Sequence, residues 1–528
     1  MFKNHPKGLL AAALSNMGER FGYYIMNAVL VLFLCSKFGL SDTQSGLIYS
    51  IFYTLIYVLS LVGGYLADRK QNYKGVITTG LIIMAVGYAL LSIPITSTST
   101  NMVWLLPFTC LSLLMIAFGN GLFKGNLQAI VGQMYDNFEA EAAKQGPRAL
   151  ELAKGKRDAG FQIFYVFINI GALAAPFIAP LLRGWWLGVH NLTYNASLPE
   201  LCHKYINGNG MLTGADGENL LSLVKEVGGP VFANIAENTD ALMGFAQHYL
   251  EIFNTGVHYS FIASVLMMAI SLTIFLVSKK TFPTPVKKGA AESVQYTAEE
   301  RATMAKEIKQ RMFALFAVLG VVVFFWFSFH QNGQSLSFFA RDFIVTSSIP
   351  PEIWQAVNPF FVITLTPVIM AIFAFLSKRG KNVSTPRKIA IGMGITAVAY
   401  LFLALFSSTQ GYPSANVFRS LSVEAQNMMK AGPWVLIVAY FFLTTAELFI
   451  SPLGLSFVSK VAPKHLQGLC QGLWLGATAL GNLLIWIGPL MYNNMPLWQC
   501  WTVFTVVCLV SMGIMFGMVR WLEHVTGE

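Results

Sequence analysis

The stretch Asn16-Met17-Gly18-Glu19-Arg20-Phe21-Gly22-Tyr23-Tyr24 lies inside an apolar run from about Leu9 to Phe38. A run of that length can cross a bilayer, which needs about 20 apolar residues. A carboxylate and a guanidinium within it each cost roughly 2.5–3.5 kcal/mol at a helix centre. At helical spacing Asn16, Glu19, Arg20, Tyr23, Tyr24 and Asn27 share one face, and the other faces are Leu, Ile, Val, Met and Ala. Such a polar stripe needs a protein interior or a water-filled cavity to face.

The rest of the chain fits that setting. Of its 528 residues 55% are hydrophobic and 11% charged, with a mean hydropathy of +0.57. Soluble domains carry about 25% charged residues, so this is a polytopic membrane protein. Cys35, Cys110, Cys202, Cys470, Cys500 and Cys508 show neither disulfide nor zinc spacing and read as packing residues. The first apolar run continues well past a signal-peptide core, so no cleavable signal is expected. No metal or cofactor is implied. The net charge of +10 is distributed as membrane topology demands rather than as a nucleic-acid surface.

Twelve apolar runs of spanning length fall near 9–38, 42–67, 73–96, 102–135, 158–182, 256–278, 312–340, 351–377, 386–408, 432–459, 463–491 and 496–522. With the N-terminus inside, 26 of the 35 Lys and Arg lie in cytoplasmic segments and seven outside, and Arg20 and Lys124 remain within spans. That bias places both termini in the cytoplasm. A basic linker at 279–311 separates residues 1–182 with 256–278 from residues 312–528. The predicted fold is therefore all-α, with two six-helix bundles in the layout of the major facilitator superfamily. Such halves rock around a site near the membrane midplane. The long outside segment 183–255 reads as a surface cap or insertion, with amphipathic helices over 218–227 and 232–253. Asn191 and Asn195 match the glycosylation pattern weakly.

Polar residues inside the other spans complete the pattern. Gly63-Gly64-Tyr65-Leu66-Ala67-Asp68-Arg69 ends the second span, where small residues let backbones approach and Asp68 and Arg69 can latch neighbouring loops. The fourth span carries Gly119-Asn120-Gly121-Leu122-Phe123-Lys124-Gly125-Asn126, with Lys124 too deep to snorkel by default. Asn169 is the polar residue of the fifth span, where a structural hydrogen bond explains it almost as well as a ligand contact. The seventh turns polar at His330-Gln331-Asn332-Gly333-Gln334-Ser335, and the tenth holds Glu447 with Ser451 one turn later. Glu19, Arg20 and Lys124 belong to the first half and Glu447 to the second. A cavity between the halves then suits a zwitterion, its carboxylate toward Arg20 and Lys124 and its ammonium toward Glu447. Arg grips a carboxylate with two parallel bonds, whereas Lys acts as a point charge. Tyr23, Tyr57, Trp326 and Trp474 either wall side-chain pockets or pack as ordinary core.

These residues carry a family resemblance. Glu19 to Tyr24, Gly63 to Arg69, Gly119 to Asn126, Phe161 to Leu173 and Glu447 to Gly454 together resemble the proton-dependent oligopeptide transporters of the major facilitator superfamily. The resemblance covers nearly all twelve spans. It implies uptake of di- and tripeptides with protons by alternating access, in the plasma membrane (the inner membrane of a bacterium), by a monomer. It places Arg20 and Lys124 at the peptide carboxylate and Glu447 at its amino terminus. Tyr23, Tyr24, Tyr57, Asn169, Trp326, Asn358, Ser451 and Trp474 take the pocket positions. Glu19, Arg20 and Lys124 are implied in proton coupling.

Three positions depart from the family pattern. Asn16 stands where a Glu is usual, Asn27 where bacterial members often have an Arg, and His330 where that Arg finds its acid. Losing both partners of an ion pair is a consistent replacement, since losing one strands a buried charge. An Asn27–His330 hydrogen bond is the expected substitute at the outer gate. His330 is also a candidate proton carrier, because histidine titrates near neutral pH; a neutral, hydrogen-bonded histidine is the equal alternative. A weakly coupled peptide facilitator and a carrier of nitrate or another small solute keep the same fold, although Glu447 repels anions. A membrane-embedded enzyme lacks support, since neither His-Glu-x-x-His nor Gly-x-Ser-x-Gly occurs. A peptide sensor that binds without transport is disfavoured by the gate motif.

Overall fold

The computed structural model describes residues 5–212, 214–229, 239–283, 298–346, 349–379, 383–461 and 467–526. Twelve helices among them are long and apolar enough to span a membrane: Leu9–Phe38, Asp42–Lys70, Tyr73–Leu91, Met102–Ala143, Ile163–Val189, Asp240–Val277, Lys306–Phe343, Pro351–Phe373, Thr385–Thr409, Trp434–Ser451, Cys470–Asn494 and Leu497–Val525. They are the first to twelfth spans below. One end of the bundle carries the 183–255 segment and is called the cap end; the opposite end holds both termini.

Local chemistry sets the turn at the cap end between the first two spans. Gly39 takes a left-handed φ of 64° and closes the first helix. Two residues later Ser41 and Gln44 form a reciprocal capping box, with Gln44 N to Ser41 Oγ at 3.2 Å and Ser41 N to Gln44 Oε1 at 3.0 Å. Asp42 is thereby fixed at the cap end and Glu19–Arg20 at mid-depth.

Small residues then set the helix contacts, because lipid tails supply no hydrophobic drive between apolar helices. A Cβ on Gly63 would fall 2.2 Å from the Gly121 carbonyl oxygen, and one on Gly119 would fall 2.5 Å from that of Gly80. The second, third and fourth spans therefore touch backbone to backbone. Asn126 reinforces this by donating from Nδ2 to the Gly63 carbonyl at 3.0 Å. The first span meets the sixth through Ser15 and Ser271, with Oγ atoms 3.0 Å apart. In the second half the Trp474 indole lies where a Cβ on Gly454 would sit, joining the eleventh span to the tenth. Outward-facing Leu111, Leu181, Leu405 and Val510 stay exposed, as a lipid belt requires.

The seventh span is broken. Its helix runs to Phe329, turns as a 3-10 helix over His330–Gly333, and resumes at Ser335–Phe343. Backbone freed inside a membrane must find partners. The Asn332 carbonyl accepts from Gln355 Nε2 at 2.9 Å and Tyr440 Oη at 3.2 Å, and the Ser328 carbonyl accepts from Tyr400 Oη. The sequence predicts a helix over 218–227, and one spans Ala215–Gly228. The sixth-span helix is already formed at Thr239, far earlier than the apolar run suggests, and takes in 239–253 of the second amphipathic segment, whose first part, 232–238, lies outside the described residues.

Candidate functional site

The four mid-depth charges divide into one closed pair and two single charges. Arg20 donates from Nε to Glu19 Oε2 at 2.5 Å and from Nη2 to Oε1 at 2.6 Å. Asn120 Nδ2 adds a bond to Glu19 Oε1 at 2.7 Å. Glu19 is fully buried and Arg20 nearly so. One turn beyond Asn120, the half-buried Lys124 holds its Nζ 4.8 Å from the Tyr57 ring centroid. Among the described residues no carboxylate lies within ion-pair distance of it. Glu447 in the tenth span is also half-buried and accepts from Asn358 Nδ2 at 2.8 Å, with no cation in ion-pair range among the described residues. Tyr24 and Tyr57 each lie within electrostatic reach of both Arg20 in the first half and Glu447 in the second.

The other sequence-predicted pocket residues are placed less evenly. Tyr24, Tyr57, Asn358 and Ser451 are partly exposed. Tyr23, Trp326 and Trp474 are buried. The Arg20 guanidinium sits 4.8 Å from the Tyr23 ring centroid. Asn169 spends its Nδ2 on the Tyr165 carbonyl one turn back, at 3.0 Å. Tyr165 of the fifth-span signature is 41% exposed and lies within electrostatic reach of Glu447. Its spacing, one turn before Asn169, was the available signal.

The expected Asn27–His330 bond is absent, which corrects that part of the gate. Asn27 Oδ1 instead accepts from Tyr49 Oη at 3.3 Å and Tyr23 Oη at 3.4 Å. His330 Nδ1 pairs with Asn482 Oδ1 at 2.5 Å. Its ring stacks on Trp326 at 4.9 Å and meets the edge of Tyr53 at 5.0 Å. Tyr49 stacks on Tyr53, so two tyrosines fill the space between Asn27 and His330.

The cap end is closed instead by ion pairs that the sequence reading counted as loop charges. Arg341 donates to Asp42 from both Nη atoms at 3.0 Å and to its neighbour Asp342 through Nε at 2.8 Å. Arg419 bonds Asp42 and reaches Asp342 at 2.9 Å. Arg183 of the fifth span grips Glu352 of the eighth at 2.5 Å. Burial opposes the charge on Arg419, but Asp342 and Asp42 outweigh it and hold its pKa above the ordinary value. The adjacent Arg341-Asp342 at the end of the seventh run was the visible clue. At the opposite end Asp68 and Arg69 are exposed. Asp68 accepts from Tyr73 Oη within the first half, and Arg69 has no ion-pair partner among the described residues.

Two helical halves that each bring to mid-depth a charge unpaired among the described residues, clasped together at one end, define a membrane carrier. The POT family model matches residues 74–208 and 287–497, and the chain belongs to that family. It is a multi-pass membrane transporter and not an enzyme. It is 27% identical to dipeptide and tripeptide permease B of Shigella dysenteriae serotype 1, over 98% of this chain and 96% of the relative. It is 28% identical to the peptide transporter YePEPT of Yersinia enterocolitica, over 91% of this chain and 87% of the relative. Its fold matches a crystal structure of a peptide transporter POT in complex with sulfate, with TM-score 0.69 and 20% identity over 99% of this chain and 96% of that one. A POT family transporter in complex with a thioalcohol-conjugated peptide matches with TM-score 0.69 and 19% identity, over 99% and 98% of the two chains.

Proposed function

We propose that this chain takes up di- and tripeptides by proton symport, alternating access between the two sides of a bacterial inner membrane, with both termini cytoplasmic and the cap end outside. The observation that carries the peptide reading is the pair of single charges, Lys124 in one half and Glu447 in the other, with Tyr57 against Lys124 and within electrostatic reach of Glu447. A zwitterion neutralises both at once. Its carboxylate meets Lys124, with Arg20 alongside, and its ammonium meets Glu447. Arg20 is already neutralised by Glu19, so protonation of Glu19 would free the guanidinium for substrate. That exchange offers a coupling route in which proton and peptide carboxylate arrive together. His330 is the second candidate proton site, and Asn358, Ser451 and Trp474 frame the amino-terminal side. The protein acts as a monomer in this reading.

Uptake of radiolabelled Ala-Ala into proteoliposomes, with and without an inward proton gradient, tests the proposal. Accumulation above equilibrium only with the gradient is expected. Equilibration without accumulation would make the protein a peptide facilitator whose coupling was lost with the acids replaced at Asn16 and His330. No uptake of Ala-Ala, with uptake of nitrate by the same proteoliposomes, would overturn the peptide assignment.

A further inference from the structure

We infer that the described outside residues between the fifth and sixth spans form a strap across the outer gate: it is carried by the first half, docks on the second, and must release each time the cap end opens. The inference rests on the alternating-access reading above. Two helices build the described part of the strap, Leu198–Asn207 and Ala215–Gly228. Leu198–Asn207 packs on the sixth-span helix and the first span, and Ala215–Gly228 packs on Leu198–Asn207. His203 bonds the Ser36 carbonyl at the end of the first span through Nε2 at 2.7 Å. The strap is thus anchored to the first half.

Its other contacts cross to the second half. Asn219, 2% exposed, donates from Nδ2 to the Leu421 carbonyl at 2.7 Å and accepts at Oδ1 from Val423 N at 2.8 Å. Both ends of one amide are used on the backbone linking the ninth and tenth spans. A buried amide that fills its donor and its acceptor on one strand of backbone is specific to that partner. Glu200 Oε2 lies 3.7 Å from Arg419 Nε, and Arg419 is the residue that ties Asp42 to Asp342. The strap therefore touches the centre of the ion-pair lock as well as the segment beside it. A cavity of about 330 Å³ lies beside that contact, lined by Glu200 and His203 of the strap and by Arg341 and Glu352. Rocking the halves apart at the cap end breaks the Asn219 and Glu200 contacts while leaving the His203 anchor intact. The strap's docking energy is therefore spent only in the closed-cap state and biases the carrier toward it.

Two measurements test this. An Asn219→Cys/Leu421→Cys pair is bridged with a short reducible thiol cross-linker in proteoliposomes. Bridging is expected to cut Ala-Ala uptake at least tenfold, with recovery on reduction, while the cross-linker leaves each single variant at that variant's own untreated rate. Full uptake by protein shown on a gel to be bridged would overturn the strap. The second measurement does not depend on peptide being the substrate. Asn219→Ala, placed on Ser50→Cys, should speed labelling by an impermeant maleimide from the cap side several-fold, because Ser50 is sealed under Gln334 in the closed state. Asn219→Asp, which keeps only the acceptor, should fall between. Equal labelling rates in folded, monodisperse protein would show that the strap takes no part in closure.

Discussion

At the scale of single residues, the site is governed by which charges are already paired. Glu447 keeps one neutral bond, to Asn358, so a substrate ammonium would be its first cation. Hydrogen bonds to charged groups contribute about 1.5–3 kcal/mol, or roughly 10–150-fold in affinity. Glu447→Gln should therefore raise the Ala-Ala concentration for half-maximal uptake by about that factor. An analogue lacking the amino group should compete almost as well as before. Equal losses for both ligands in competition assays would remove Glu447 from the amino terminus. His330→Ala should flatten the pH profile of uptake if His330 carries the proton; an unchanged profile would move that role to Glu19. The sequence showed each of these groups, because a charge in an apolar run stands out. It did not show their partners. Asn120 lies 101 residues from Glu19, and Asn482 lies 152 residues from His330. Both are neutral amides with no cost conspicuous enough to mark them. The Asn27–His330 pairing failed for the same reason, since Tyr49 and Tyr53 occupy the space between them.

At the scale of elements, two neighbouring glycines separate packing from permissiveness. A Cβ on Gly63 would strike the Gly121 backbone, whereas nothing lies within 4 Å of one on Gly64. Backbone cannot move aside as a flexible side chain can, and overpacking of this kind costs about 1–3 kcal/mol. Gly63→Ala should lower the thermal midpoint in detergent, while Gly64→Ala should leave it near wild type. Matching midpoints would mean that the contact between the second and fourth spans is not tight. The gate motif that contains both glycines is thus a packing device at its start and an exposed charged end at its finish. All twelve spans could be read from the sequence because the bilayer demands a continuous apolar run. Their ends were harder, since a helix needs no apolar residues once it leaves the membrane. The fourth continues to Ala143, and the sixth-span helix is already formed at Thr239. The break at His330–Gly333 was visible only as polarity; that Tyr49 of another span lies where a Cβ on Gly333 would sit could not be read from it.

At the scale of the whole molecule, the lock at the cap end has to hold and still release. Buried ion pairs suit that task, since desolvation nearly cancels their attraction and opening returns the charges to water. Asp42, Asp342, Arg341 and Arg419 form a balanced set of two acids and two bases. Asp42→Asn leaves two guanidiniums sharing one carboxylate, and only in the closed state are they kept from water. Removing one partner of a buried pair costs about 3–5 kcal/mol. Even half of that shifts the closed-to-open ratio more than tenfold, because tenfold requires about 1.4 kcal/mol. Cap-side labelling of Ser50→Cys should rise accordingly in Asp42→Asn. The double variant Asp42→Leu/Arg341→Met leaves one acid and one base, so it should restore slow labelling although it deletes more contacts. Fast labelling in both variants would point to lost packing rather than lost balance. Slow labelling in both would place the closing force elsewhere, with Arg183–Glu352 the next pair to remove.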